Sequence, residues 1–353
     1  MKHPTTKHIA TTDSAPVLSA QERITRTPRT PPIVRIITLL LFCIVVQSCG
    51  NDGLATAPND GEFSPRLSAY GIFQGTMSNL VASEGYLGYT LSSQLFTDFA
   101  EKQRLIKLPT GAQMTSMGDD LLNFPDNTII VKTFYYFNDK RDTSKGKTIV
   151  ETRLLVKRNG LWNAATYLWN DTQTDATLTT SGFDKNVQWI DAKGAGRVIS
   201  YHVPSNRECA TCHQSNGQLM PIGPKAQNLN IQITKNDVQT SQLHDFQARG
   251  FLTSTDLLRI RTLPNDKNPA LSVQDRARAY LDINCAHCHS PTGFCANQDL
   301  FLEYKTPYES TGIATRKDQI LAFMQSGFMP LLGSTVRDDE GIALLTNYIN
   351  SLP

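Results

Sequence analysis

Two pentapeptides carry the clearest chemistry in this sequence. Cys209-Ala210-Thr211-Cys212-His213 and Cys285-Ala286-His287-Cys288-His289 both follow the pattern CxxCH. In a 353-residue chain with seven Cys and seven His, chance would produce roughly 0.003 such sites. The spacing suits covalent haem attachment. Two thiols three positions apart on a tight turn reach the two vinyl groups of one haem, and the adjoining His ligates the iron through a neutral imidazole nitrogen. The pair of motifs therefore predicts two covalently attached haem c groups, each with its iron. Cys209, Cys212, Cys285 and Cys288 would form the thioethers, with His213 and His289 as iron ligands. A four-Cys zinc site usually separates its CxxC pairs by about 15–20 residues, far less than the gap here. Thioredoxin-like chemistry expects CxxC beside a βαβ unit and does not require the following His.

The ligand opposite His213 is open at this level. Met220-Pro221 lies seven residues beyond it, and Met220 is the first candidate. Pro221 to Asn230 also looks like a loop on the histidine side of a haem, which would put Met220 on the wrong face. His202, His244 or an open coordination position are the alternatives. Cys295 is left over, and is expected to pack as a small buried residue. Trp162, Trp169 and Trp189 are expected in a sheet core, and Asp171 and Asp175 in turn capping.

The elements that must position these residues fall into two kinds. From Thr128 to Val203, strand signals follow one another: Thr128–Phe137, Thr148–Lys157, Leu161–Trp169 after the hairpin signal Asn159-Gly160, Val187–Ile190 and Arg197–Val203. They predict an antiparallel β-rich domain. Leu91 to Glu101 is ambiguous between short helix and extended chain. Later, Ser272 to Asn284 has a capping Ser and helical apolar spacing, and Asp338 to Leu352 places Ile342, Leu345 and Ile349 on one helical face. These two helices could cross and close a small haem pocket. The expected fold class is α+β: a β-rich domain over 63–203, a first haem-binding segment over 204–268, and a mainly α domain over 269–353.

Ahead of these lies a different composition. Residues 1–32 are rich in Thr and Pro with scattered basic residues and no apolar periodicity. Ile33 to Val46 is then almost continuously apolar. It is short of the about 20 residues a spanning helix needs and suits the apolar region of a secretory signal. Residues 1–48 are read as a signal and leader, and 49–62 as a flexible tether. The net charge of +2 (34 Lys+Arg, 32 Asp+Glu) argues against a nucleic-acid partner. Without residues 1–48 the balance is 28 basic to 30 acidic, or −2. Four ionised propionates on two haems would take this to about −6, which favours a redox partner with a basic patch.

Several stretches resemble known patterns. Val46-Gln47-Ser48-Cys49 after the apolar run resembles the bacterial lipoprotein signal. That resemblance implies lipidation of Cys49 and a lipid-anchored protein in the cell envelope, at the periplasmic side or outer membrane. From about residue 270 onward the chain resembles class I cytochrome c, and Met329-Pro330 resembles its axial methionine loop. Met329 would then ligate the second iron opposite His289, with Met324 as a nearby competitor better suited to core packing. More broadly, Phe63 to Pro353 resembles a family of largely uncharacterised bacterial dihaem c-type cytochromes. The similarity rests on Tyr70-Gly71-Ile72-Phe73, Leu95 to Lys102, Glu151 to Leu155, Trp169-Asn170 with Thr174-Asp175-Ala176, Pro221 to Lys225 with Asn228-Leu229-Asn230, Ala277 to His289, and Met329-Pro330 with Leu332-Gly333. Between Ser290 and Phe328 the chain is shorter than many members of that family. The resemblance implies electron transfer to or from a redox partner, not a substrate. A dihaem peroxidase with an open first haem, and an envelope binding module with redox-reporting haems, are the competing expectations.

Overall fold

The alternating β-branched and aromatic residues of the middle region do build a sheet, and a wider one than their pattern announces. The computed structural model describes residues 63–235 and 237–353. Six strands lie side by side in chain order, each antiparallel to the next: β1 (Tyr86–Gly88), β2 (Glu101–Lys107), β3 (Ile129–Phe137), β4 (Lys147–Arg158), β5 (Leu161–Trp169) and β6 (Ala176–Thr179). A separate antiparallel hairpin, β7 (Phe183–Ile190) and β8 (Gly196–Val203), follows. Asn159 and Gly160 both take positive φ (+51° and +79°) between β4 and β5, as a two-residue hairpin turn demands. This turn sets the register that pairs Arg158 with Leu161.

That register decides what each face of the sheet buries. On one face the cross-strand row Leu105, Val131, Leu154 and Ala165 packs against Phe63, Leu67 and Ile72. On the other face Ile106, Ile130, Leu155 and Ala164 form a row that packs with Ala210, Leu229 and Phe246. Farther along this second face, Phe134 and Tyr136 lie under Val187, Trp189, Tyr201 and Val203 of the β7–β8 hairpin. Each such side chain contributes about 1.5–3 kcal/mol on full burial. Between the two apolar clusters runs a different row: Arg104, Lys132, Arg153 and Thr166. Trp162, Trp169 and Trp189 are all buried in these cores. Asp175 accepts hydrogen bonds from Ser68 and from the Ala176 amide, and Asp171 pairs with Lys185.

After β8 the chain becomes shorter-grained. Helix α1 (Asn206–His213) is followed by the small ribbon β9 (Gln214–Ser215) and β10 (Gln218–Leu219), helix α2 (Ala226–Leu229), the hairpin β11 (Gln232–Lys235) and β12 (Val238–Ser241), and helix α3 (Gln242–Ala248). Three longer helices complete it: α4 (Val273–Asn284), α5 (Ile313–Ser326) and α6 (Asp339–Asn350). Ser272 and Asp338 cap α4 and α6 by accepting from the Asp275 and Gly341 amides. Helices α4 and α6 cross closely, with Ala277, Tyr280 and Leu281 packing among Leu344, Leu345 and Tyr348. A Cβ on Gly341 would overlap the Tyr280 ring.

The expected mainly α, class I cytochrome c-like domain over 269–353 is not what forms. The described chain is sheet-rich, with about 26% helix, and is dominated by the six-stranded antiparallel sheet. Between α4 and α5, and again between α5 and α6, the backbone runs irregularly through Pro291, Gly293, Gly312, Gly327, Pro330 and Gly333. These residues interrupt the helical pattern and remove the continuous helices such a domain needs. All described residues belong to one compact unit, so the three expected segments are parts of one body. Among the described residues, no helix is long and apolar enough to cross a membrane. The expected leader, tether and lipidated Cys49 lie outside the described residues.

Candidate functional site

The first CxxCH motif is built into a helix. Ser205 accepts from the Glu208 amide while the Glu208 carboxylate accepts from the Ser205 amide, a capping box that starts α1 immediately after β8. Cys209, Cys212 and His213 then stand at positions i, i+3 and i+4, on one side of that helix. The Cys209 Sγ lies 3.8 Å from Thr166 Oγ1 on β5, which ties the motif to the sheet face. The second motif follows the end of α4. There the Cys288 and His289 amides both donate to the Cys285 carbonyl, at 3.1 and 2.9 Å, and keep a helix-like turn.

These two motifs, 76 positions apart, meet in one cavity. All four cysteines and both histidines line it, together with Met329 and Met324. The Cys212 and Cys288 thiols hydrogen-bond to each other, and the His287 ring reaches Cys212. The loops just beyond are stitched together by Asn216 N–H donating to the Thr292 carbonyl at 2.9 Å and by Ser215 Oγ to Thr292 Oγ1 at 2.9 Å. The cavity is open to solvent on one side.

The two histidines are held in the form a metal would use. His213 Nδ1–H donates to the Met220 carbonyl at 2.7 Å, which leaves Nε2 as the available nitrogen. Burial pushes its pKa down to about 3, and that of His289 down to about 4, so both rings are neutral. The Nδ1 atoms of His287 and His289 are buried without a hydrogen-bond partner. Burial also pushes the Cys285 thiol up to about 12 and raises Cys209. Among the described residues no three His, Cys, Asp or Glu side chains converge as a metal site. Haem iron needs only one or two protein ligands, since the porphyrin supplies the rest. Buried neutral imidazoles beside the cysteines of both CxxCH turns, lining one cavity, are the donor chemistry that a haem iron would use.

The candidates for the sixth positions separate clearly. Met329 lines the cavity with His289, and its amide donates to the Phe323 carbonyl at 3.2 Å. Met324 also reaches the cavity but is 7% exposed within the core among α4, α5 and α6. Met220 packs its side chain against the sheet-side core and is not among the residues that line the cavity. Its carbonyl accepts the His213 Nδ1 proton. His202 lines the cavity, but Nδ1 meets Asp184 at 2.6 Å and Nε2 meets Glu208 at 3.1 Å. His244 stands at the start of α3 and does not line the cavity. Cys295 is buried, 4% exposed.

Sequence reading missed three features. Lys132 and Arg153 line the cavity from the sheet, and the signal was there, since both fall on the inward phase of strands otherwise filled by Ile130, Phe134 and Leu155. His287 was read only as a spacer within its motif. Asp98 was not singled out. Its carboxylate accepts from Ser334 Oγ (2.8 Å), the Thr335 amide (2.8 Å), Thr335 Oγ1 (2.9 Å) and the Val336 amide (3.1 Å), and so anchors the loop that follows Met329. No local pattern marks a contact between residues 98 and 335. The chain matches no known family model, no curated protein and no solved structure.

Proposed function

We propose that this protein is a dihaem c-type cytochrome that passes electrons to or from a redox partner in the cell envelope. The observation that carries the reading is the meeting of both CxxCH motifs in one cavity, with Cys212 and Cys288 in contact. Bound haem supplies a reversible one-electron iron couple. The protein residues do the rest. Cys209 with Cys212, and Cys285 with Cys288, fix each ring. Nε2 of His213, and the imidazole of His289, hold the irons. Met329 would be the further ligand to the iron held at His289, and a thioether there would raise the potential relative to bis-histidine ligation. The convergence of both motifs on one cavity supports a reading in which two haems would lie near each other. Lipidation of Cys49 would keep this unit at the membrane surface. Replacing Cys49 by Ala should release the protein from the membrane fraction, and unchanged fractionation would reject the anchor.

One observation favours a second reading, a dihaem peroxidase. Met220 is turned away and both His202 nitrogens are engaged, so neither serves as the ligand opposite His213. Optical and EPR spectroscopy of the purified protein separates the two. Electron transfer predicts two low-spin haems indifferent to peroxide and cyanide. A high-spin haem that reacts rapidly with peroxide would replace this reading with the peroxidase.

A further inference from the structure

His202 has an acid on both sides of its ring. Its Nδ1 lies 2.6 Å from Asp184 Oδ1, and its Nε2 lies 3.1 Å from each Glu208 carboxylate oxygen. A neutral imidazole has one N–H and one lone pair, so one of the two carboxylates would then face a lone pair. Both contacts are favourable only when the ring carries two protons. Glu208 acts as an acceptor throughout, since its Oε2 also accepts from the Ser205 amide and the Ser205 hydroxyl, each at 2.8 Å. The ring is therefore an imidazolium held between two carboxylates.

These three residues belong to three elements. Asp184 on β7 stands opposite His202 on β8, while Glu208 lies in the first turn of α1, one residue before Cys209. The ring rests against the chain at Gly182, where a Cβ would come within 3.1 Å of its Cε1. Beside it, the Asn206 amide at the start of α1 donates to the Thr180 carbonyl at 3.0 Å. On the cavity side, Lys132 and Arg153 stand on the sheet wall. Burial alone would lower the pKa of the His202 ring, but its bonds to Asp184 and Glu208 outweigh burial and raise it. We propose that His202 is a proton-operated latch that holds the start of α1, and with it the first CxxCH motif, against the β7–β8 hairpin. Protonated, the ring ties both acids. On losing one proton it keeps one bond and turns a lone pair toward the other acid. The direction follows from the raised pKa: the stabilisation is complete below the unfolded ring's value of about 6.5 and is lost as pH rises through the folded value. The latch involves no haem atom, so it stands or falls apart from the dihaem reading.

The test is denaturant unfolding of the full chain from about pH 5.5 to about pH 9.5, comparing the unsubstituted protein with His202→Gln, which keeps a donor and cannot titrate. The ratio of their folding constants should fall by about fivefold across that range, the upper end for one part-exposed ion pair. A ratio independent of pH would overturn the latch. Hydrogen exchange places the effect on the helix. Corrected for intrinsic rate, the amides of 209–213 should lose protection at the alkaline end in the unsubstituted protein and keep it in His202→Gln. Equal protection of these amides at both ends in the unsubstituted protein would also overturn the latch. If His202→Gln does not fold, Asp184→Asn takes its place, at a side chain that is 67% exposed. Removing one of the two acids should shrink the pH-dependent step, and a step of undiminished size would contradict the site.

Discussion

At the scale of single residues, the protonation states and hydrogen bonds of two histidines organise the site. His213 gives its Nδ1 proton to a backbone carbonyl, and burial keeps the ring neutral far below physiological pH. Met220 gives this bond its acceptor through its backbone carbonyl, while its side chain packs against the sheet-side core. Met329 has no such restraint and lines the cavity with His289. Replacing Met329 by Ala should therefore leave both haems attached while lowering one midpoint potential. The fall should be on the order of 100 mV, a fraction of the roughly 0.8 V that axial ligands span. Redox titration checks this, and an unchanged pair of midpoints would remove Met329 from the iron.

At the scale of elements, local pattern and long-range contact divide what sequence could show. The strand Leu161–Trp169 was readable to the residue because Asn159-Gly160 punctuates it and its alternation is strong. Helix α4 was readable from a capping Ser, and both α4 and α6 from a repeated apolar spacing. β1, β6 and α5 were not, since β1 and β6 span only three and four residues and the apolar face of α5 is weakly marked. The class I cytochrome c-like domain failed for a related reason: two well-formed helices do not make a mainly helical domain when Pro and Gly interrupt the chain between them. The CxxCH motifs were legible outright, because each is a pattern of five consecutive residues. Their meeting in one cavity was not, because it depends on contacts 76 positions apart. Asp98 belongs to the same class. Asp98→Ala would strand several amide and hydroxyl donors, each at a cost of ~1–3 kcal/mol. It should lower stability by about 3 kcal/mol in chemical denaturation and loosen the loop carrying Met329. A loss below about 0.5 kcal/mol, the level of an ordinary surface substitution, would show that Asp98 does not hold this loop.

At the scale of the whole molecule, a six-stranded antiparallel sheet supplies one wall of the cavity and the helices with their irregular connections supply the others. The sheet face is apolar at both ends and cationic in the middle, and the cationic part faces the cavity. This division explains why a β-rich body accompanies the two CxxCH motifs: it provides a rigid wall and fixed charges that two short helical turns lack. The acidic balance of residues 49–353, at −2 before any haem is added, agrees with a partner that presents basic residues. The central claim is that both motifs carry covalent haem, and the most direct measurement is the haem-to-protein ratio by pyridine haemochrome on the purified, denatured protein. The account predicts two haems per chain, falling to one in Cys212→Ala. A ratio of one or zero in the unsubstituted protein, or an unchanged ratio in Cys212→Ala, would contradict it.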